Sequence, residues 1–211
     1  MAAEPEHHRL LEFERKLDAT IGDGADVLAR VRATCIQWPA DLWMIRLLGQ
    51  LHHAHRMIEI GTHQGGSALW LAWCFRPREI ICIDPWLGMA GPAEETLRIF
   101  DEIRRFAWDR MGVTLTPMQG NAEDILPTLP DGAFGGVYVD GYHAEVFVEK
   151  DLRLGWPKVE NAGLLFGHDY CAEHPDHLGV VRAVNAWPEE PNVTLLGPSR
   201  VFFARKGLGG I

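Results

Sequence analysis

The segment Met57-Ile58-Glu59-Ile60-Gly61-Thr62-His63-Gln64-Gly65-Gly66-Ser67 constrains this chain more than any other. It reads as a buried strand ending in an acid, then a glycine loop, then the start of a helix. Glycine at such a junction lets a ligand approach the backbone closely, and a helix N-terminus favours negative groups. The spacing is not Gly-x-Gly-x-x-Gly, because three non-glycine residues separate Gly61 from Gly65. Glu59, two residues before the first glycine, suits instead a ligand with a cationic amino group as well as a carboxylate.

From residue 57 onward strand-like and helix-like stretches alternate. The apolar pattern predicts strands at 57–60, 79–83, 114–118, 136–139, 163–166, 193–196 and 201–205, and helices at 67–75, 94–110, 145–154 and 178–187. Apolar strands without clean alternation, separated by helices, imply a mostly parallel sheet covered on both faces. The five residues Leu196–Arg200 suffice for an antiparallel C-terminal hairpin. Ahead of this, residues 7–33 carry helical periodicity broken at Gly22-Asp23-Gly24. Trp38-Pro39-Ala40-Asp41 then opens an apolar helix through Leu51, with Pro early and Asp in the first turn. The expected architecture is a doubly wound α/β domain over residues 38–211, with a seven-stranded sheet, preceded by an N-terminal helical extension over 1–37.

Composition narrows the partners. With 47% hydrophobic residues in 211, the chain can bury one good core. A net charge of −9 and a sequence pI near 5.5 argue against nucleic acid as partner. Cys35, Cys74, Cys82 and Cys171 show no CxxC spacing and read as reduced thiols. There is no signal-like apolar core at the start and no run long enough to span a membrane. A cytoplasmic protein with no membrane partner is expected; self-association stays open.

In doubly wound sheets, ligands bind beyond the carboxyl ends of the strands, near the topological switch point. Four acids fall there: Glu59 ends the first strand, Asp84 the second, Asp140 the fourth, and Asp169 follows the fifth. Any one alone reads equally as a solvated loop residue. Asp84 can accept hydrogen bonds from both hydroxyls of a ribose. Gly120-Asn121-Ala122-Glu123 follows the third strand, and its amides or the Glu123 carboxylate suit an adenine edge; the plain alternative is a helix-opening turn. Asp84–Pro92 reads as a lid over a substrate or as a mere connector.

Together the segments Glu59-Ile60-Gly61, Gly65-Gly66-Ser67, Asp84, Gly120–Pro127, Val139-Asp140-Gly141-Tyr142-His143 and Gly167-His168-Asp169-Tyr170 resemble a class I S-adenosylmethionine (SAM)-dependent methyltransferase over residues 38–205. More narrowly, the chain is similar to catechol-type and macrocin-type O-methyltransferases. The resemblance implies a Rossmann-like fold and SAM as cofactor. It implies Glu59 near the methionine amino group, with Gly61, Thr62, His63, Gly65 and Ser67 around it. It implies Asp84 on the ribose, Asn121, Ala122 and Glu123 near the adenine, and Asp140 at the cofactor's edge. It also implies a divalent metal on Asp140 and Asp169, with His168 beside them. Tyr170 stands where the catechol type has Asn, and His168 where the macrocin type has an acid; an imidazole shifts preference from magnesium toward a transition metal. His143 stands where the catechol type has a lysine base, and an imidazole accepts a proton near neutral pH; a substrate-contacting surface histidine is the alternative.

The expected activity is O-methylation of a small-molecule hydroxyl: a sugar, a natural product or a catechol-like diol. Two rivals stay open: a nicotinamide-dependent oxidoreductase and a non-catalytic SAM-binding domain.

Overall fold

A computed structural model describes residues 4–35, 37–87, 92–188, 194–195, 197 and 199–207. In chain order these form α1 (Glu4–Thr20), a 3₁₀ turn at Gly22–Gly24, α2 (Ala25–Thr34), α3 (Pro39–Leu51), β1 (Arg56–Ile60), α4 (Gly66–Phe75), β2 (Glu79–Asp84), α5 (Ala93–Met111) and β3 (Thr114–Gln119). Then follow α6 (Ala122–Ile125), β4 (Phe134–Val139), α7 (Glu145–Gly155), β5 (Val159–Gly167), α8 (Leu178–Ala186), β6 (Thr194–Leu195) and β7 (Phe202–Arg205).

The strands make one sheet in the order β3-β2-β1-β4-β5-β7-β6. All pairings among β1–β5 are parallel, and β7 runs antiparallel to both β5 and β6. The predicted doubly wound sheet with its C-terminal hairpin is therefore what forms. The described part of the last two strands is shorter than expected, and residues 193 and 196 lie outside the described residues. Two strands start earlier than the apolar pattern shows. Phe134 pairs with Val159 ahead of an irregularity in the β4–β5 register, and Ala162 in the bulge takes φ 65°.

Period-two alternation distributes each strand between two cores. Met57, Ile80, Cys82, Leu115, Tyr138, Leu164 and Phe166 pack with α1–α5. Ile58, Ile60, Ile81, Ile83, Val137, Val139 and Leu165 pack with α6–α8. Helix α4 is apolar on all sides, and is buried on nearly all of them, because α2, α3 and α5 enclose it. The N-terminal helices share that first core through Leu17, Val27, Leu28 and Val31. Among the described residues, no helix is long and apolar enough to cross a membrane.

The winding reverses beside β1: the chain runs outward through β2 and β3, then returns to place β4 on β1's other side. The carboxyl ends of β1 and β4 thus form the switch point where a crevice is expected.

Candidate active site

At that point a cavity of about 510 Å³ opens, within the size range of small-molecule sites. Gly61 and His63 come from the loop after β1, Asp84 from the end of β2, Asn121, Ala122 and Glu123 from the start of α6, and Asp140 from the end of β4. Of the residues expected to hold the cofactor, these seven line the cavity.

Glu59, Thr62, Gly65 and Ser67 do not. Glu59 is fully buried beneath the glycine loop, and among the described residues neither of its oxygens has a partner at hydrogen-bonding geometry. Burial pushes its carboxyl up to about 8, which the nearby Ser67 and Thr62 hydroxyls offset only in part. The Thr62 hydroxyl is also buried without a partner among the described residues. Unsatisfied buried polar atoms are rare and mark a place where a further donor fits. A cationic amino group would satisfy this carboxyl.

The glycines serve the protein's own packing first. Gly61 has φ 89°, and a Cβ there would stand 2.1 Å from the Asp140 carbonyl oxygen. Gly65 has φ 84° and would press a Cβ against the Phe100 ring at 2.8 Å. The loop is tight because β4 and α5 close on it.

Asp84 also has a structural duty. Its Oδ2 accepts the His63 N–H at 2.9 Å and its Oδ1 accepts the Trp86 N–H at 2.6 Å, tying the β1 and β2 loops together. Trp86 is buried, donates Nε1–H to the His63 carbonyl at 2.8 Å, and lies 5.3 Å from the Phe100 ring. That part of the segment read as a lid is an anchor; residues 88–91 lie outside the described residues.

Beside the cavity, and sharing Asp140 and Gly141 with it, lies an ionic cluster. His143 Nε2 is 2.9 Å from Asp169 Oδ2, and that hydrogen bond holds the His143 pKa above its usual value. His168, almost fully buried, has Nδ1 3.0 Å from Asp169 Oδ1 and Nε2 2.9 Å from Asp41 Oδ2. Burial works against charge on His168, but the two carboxylates outweigh it and push the imidazole up to about 10. Burial likewise opposes ionisation of Asp169, and its histidine partners overcome this to hold it well below the usual range. Asp169 adopts φ 61°, a backbone state uncommon outside glycine and kept where surroundings over-determine it.

Several members of this cluster escape a sequence reading. Asp41, from the first turn of α3, accepts Ser199 Oγ at 3.0 Å, the Arg200 N–H at 2.7 Å and the Arg200 guanidinium at 3.3 Å. Arg200 NH1 also lies 3.7 Å from Asp169. His177 Nε2 lies 3.4 Å from Asp169 Oδ1. Gln37 Nε2 donates to Asp140 Oδ2 at 3.0 Å. In the sequence Asp41 signals only a helix start, and Arg200 and His177 carry no ligand spacing. On the cavity wall, Phe147, Lys150 and Asp151 carry no sequence signal either, and Tyr142 stands out only as part of the Val139–His143 segment.

The expected metal ligands can be tested on this geometry. One ligand atom each from Asp140, His168 and Asp169 lie within 4.8 Å of one another, and so do atoms of His143, Asp169 and His177. Asp41 on the far nitrogen of His168 matches the carboxylate that commonly steadies a metal-bound imidazole. The mixed oxygen and nitrogen donors fit a divalent transition metal better than magnesium. The adjacent Arg200 guanidinium opposes any cation there.

The family described as "Methyltransferase domain" matches residues 58–170, more than half of the chain, and the chain belongs to it. Solved structures share its fold at low identity. A Staphylococcus aureus protein assigned as a caffeoyl-CoA O-methyltransferase is 16% identical, with 93% of this chain and 100% of that one covered and a TM-score of 0.69. The O-methyltransferase from Bacillus cereus, in complex with S-adenosylhomocysteine (SAH), is 17% identical over 90% of this chain and 97% of that one, with a TM-score of 0.61. TomG from Streptomyces achromogenes, an O-methyltransferase of tomaymycin synthesis in complex with SAM, is 21% identical over 82% of each chain, with a TM-score of 0.54. A search of curated proteins finds no match.

Proposed function

We propose that this protein is a SAM-dependent O-methyltransferase acting on a small-molecule hydroxyl. The observation that carries this reading is the cavity at the β1/β4 switch point, placed between the orphaned Glu59 carboxyl below the glycine loop and the His143–Asp169 pair beside it. Family membership and cofactor-bound fold relatives support it. The dinucleotide reading has less support, since the loop lacks the Gly-x-Gly-x-x-Gly spacing.

Methyl transfer from a sulfonium is an in-line displacement, so the protein mainly aligns donor and nucleophile and excludes water. Asp84 receives the ribose, its carboxylate already aimed by two backbone N–H groups. Glu59 offers its buried carboxyl to the methionine amino group. His143 takes the acceptor's proton on its imidazole, and Asp169 orients that ring and stabilises the imidazolium. Asp140, His168 and Asp169 would hold a divalent ion, which when bound would lower the acceptor hydroxyl's pKa.

Calorimetry with SAM, SAH and NAD, followed by transfer of labelled methyl to a panel of phenols and sugars, tests this. Binding of SAM and SAH but not NAD, with label on oxygen, is the expected result. NAD binding alone would select the oxidoreductase reading, and SAM binding without transfer would favour a non-catalytic domain.

A further inference from the structure

The acids facing the cavity differ in how they are engaged. Asp84 accepts from two backbone N–H groups, and Asp140 accepts from Gln37 and from the Tyr138 hydroxyl. Glu123 is partly exposed, and its carboxylate is paired with Lys150 Nζ at 2.5 Å. Asp151, on α7, is different. It is only 8% exposed, it lines the cavity, and it has no hydrogen bond or ion pair among the described residues. Its position is defined by Gly141: a Cβ on that glycine would stand 3.3 Å from Asp151 Oδ2 and 3.5 Å from Ile60 Cγ2. The carboxyl therefore rests on the cavity floor, where no side chain at 141 covers it.

A carboxyl in this state lacks a donor. Burial, with the Glu123 charge nearby, pushes it up to about 7 despite Lys150. Ile60, Ile83, Ala122, Tyr142 and Phe147 line the same cavity and give it mostly apolar walls. Such walls with one unpaired acceptor among them suit a purine bearing an exocyclic amine.

Building on the cofactor reading above, we propose that Asp151 reads the adenine 6-amino group of the cofactor, Glu123 being committed to Lys150 at the rim. A 6-amino group donates to the carboxylate. Once the carboxyl is ionised, above about pH 8, a 6-oxo purine would face it with another acceptor and leave it unpaired, which a buried site rejects strongly.

The test compares SAH with S-inosylhomocysteine by calorimetry, on the wild-type protein and on Asp151→Asn. At about pH 9, where the carboxyl is ionised, wild type should bind SAH at least about 30-fold tighter, and Asp151→Asn, whose amide N–H can donate to a 6-oxo group, should narrow the ratio to within about threefold. Equal binding of both ligands by wild type overturns the assignment without needing any variant. Unchanged discrimination in Asp151→Asn does the same while leaving the cofactor reading standing. Absence of SAH and SAM binding to wild type overturns both together.

Discussion

The cavity and the ionic cluster meet at Asp140, yet they are built in opposite ways. The cavity is lined largely by residues at or just after strand ends, such as Gly61, Asp84 and Asn121, and one of its acids, Asp151, has no hydrogen bond or ion pair among the described residues. In the cluster, Asp41, Asp169 and His168 are engaged by partners drawn from α3, the ends of β4 and β5, and the turn before β7. Open space with an unpaired acceptor suits reversible binding of a ligand. A closed network of opposite charges suits rigid orientation of one group, here His143.

The sharpest way to break this contrast is at the shared boundary. Gly61→Val would drive a branched side chain into the Asp140 carbonyl from a backbone state valine avoids. A loss of about 5 kcal/mol or more of stability is expected in urea denaturation, on the scale of severe steric lesions. A stable Gly61→Val protein would show that the loop and β4 are not locked together.

Within the cluster, Asp169→Ala leaves His143, His168, His177 and Arg200 without their common partner. It should cost about 3–5 kcal/mol, the scale for removing one member of a buried ion network. A change below about 1 kcal/mol would mean the cluster behaves like a surface ion pair.

On the cavity side, Asp84→Ala should weaken SAH binding about 10²-fold in calorimetry, through lost charge-assisted hydrogen bonds and a loosened pair of loops. His143→Ala should separate the two regions kinetically. Turnover should fall about 10²-fold while SAH affinity shifts less than about threefold, since general-base catalysis leaves cofactor binding alone. A parallel loss of affinity would place His143 in the cofactor site instead.

The smallest effect concerns Asp151 and pH. Its folded pKa is raised to about 7 from 3.8, so the unfolded chain releases this proton first, and the group lowers stability as pH climbs from about 4 to 7. Asp151→Asn should therefore raise the melting stability by about 1–3 kcal/mol at pH 8 and leave it unchanged at pH 3. Equal effects at both pH values would show that the carboxyl ionises freely in the fold.

The element order was legible in the chain because it rests on local periodicity, which residues 57–84 carry at full strength. The early starts of β4 and β5 were not. Phe134 and Gly135 precede the apolar run that marks the strand, and the pairing of Phe134 with Val159 of β5 extends the strand back to them.

What the sequence determined by itself is the sheet, its order of strands and helices, and the placement of Glu59, Asp84, Asp140 and Asp169 at strand ends, since strand period and loop position follow from neighbours in the chain. What only the tertiary structure decided is which of those acids remain open. Asp41 and Arg200 stand 159 residues apart, yet they close on His168 and Asp169 once α3 and the β7 turn pack on the sheet edge. Glu59 and Asp151 stay unpaired among the described residues because the nearby Ser67 and Thr62 hydroxyls do not reach hydrogen-bonding geometry with Glu59, and Lys150, near Asp151, is turned to Glu123. Side-chain partnership depends on contacts made across the fold, and no local pattern encodes them.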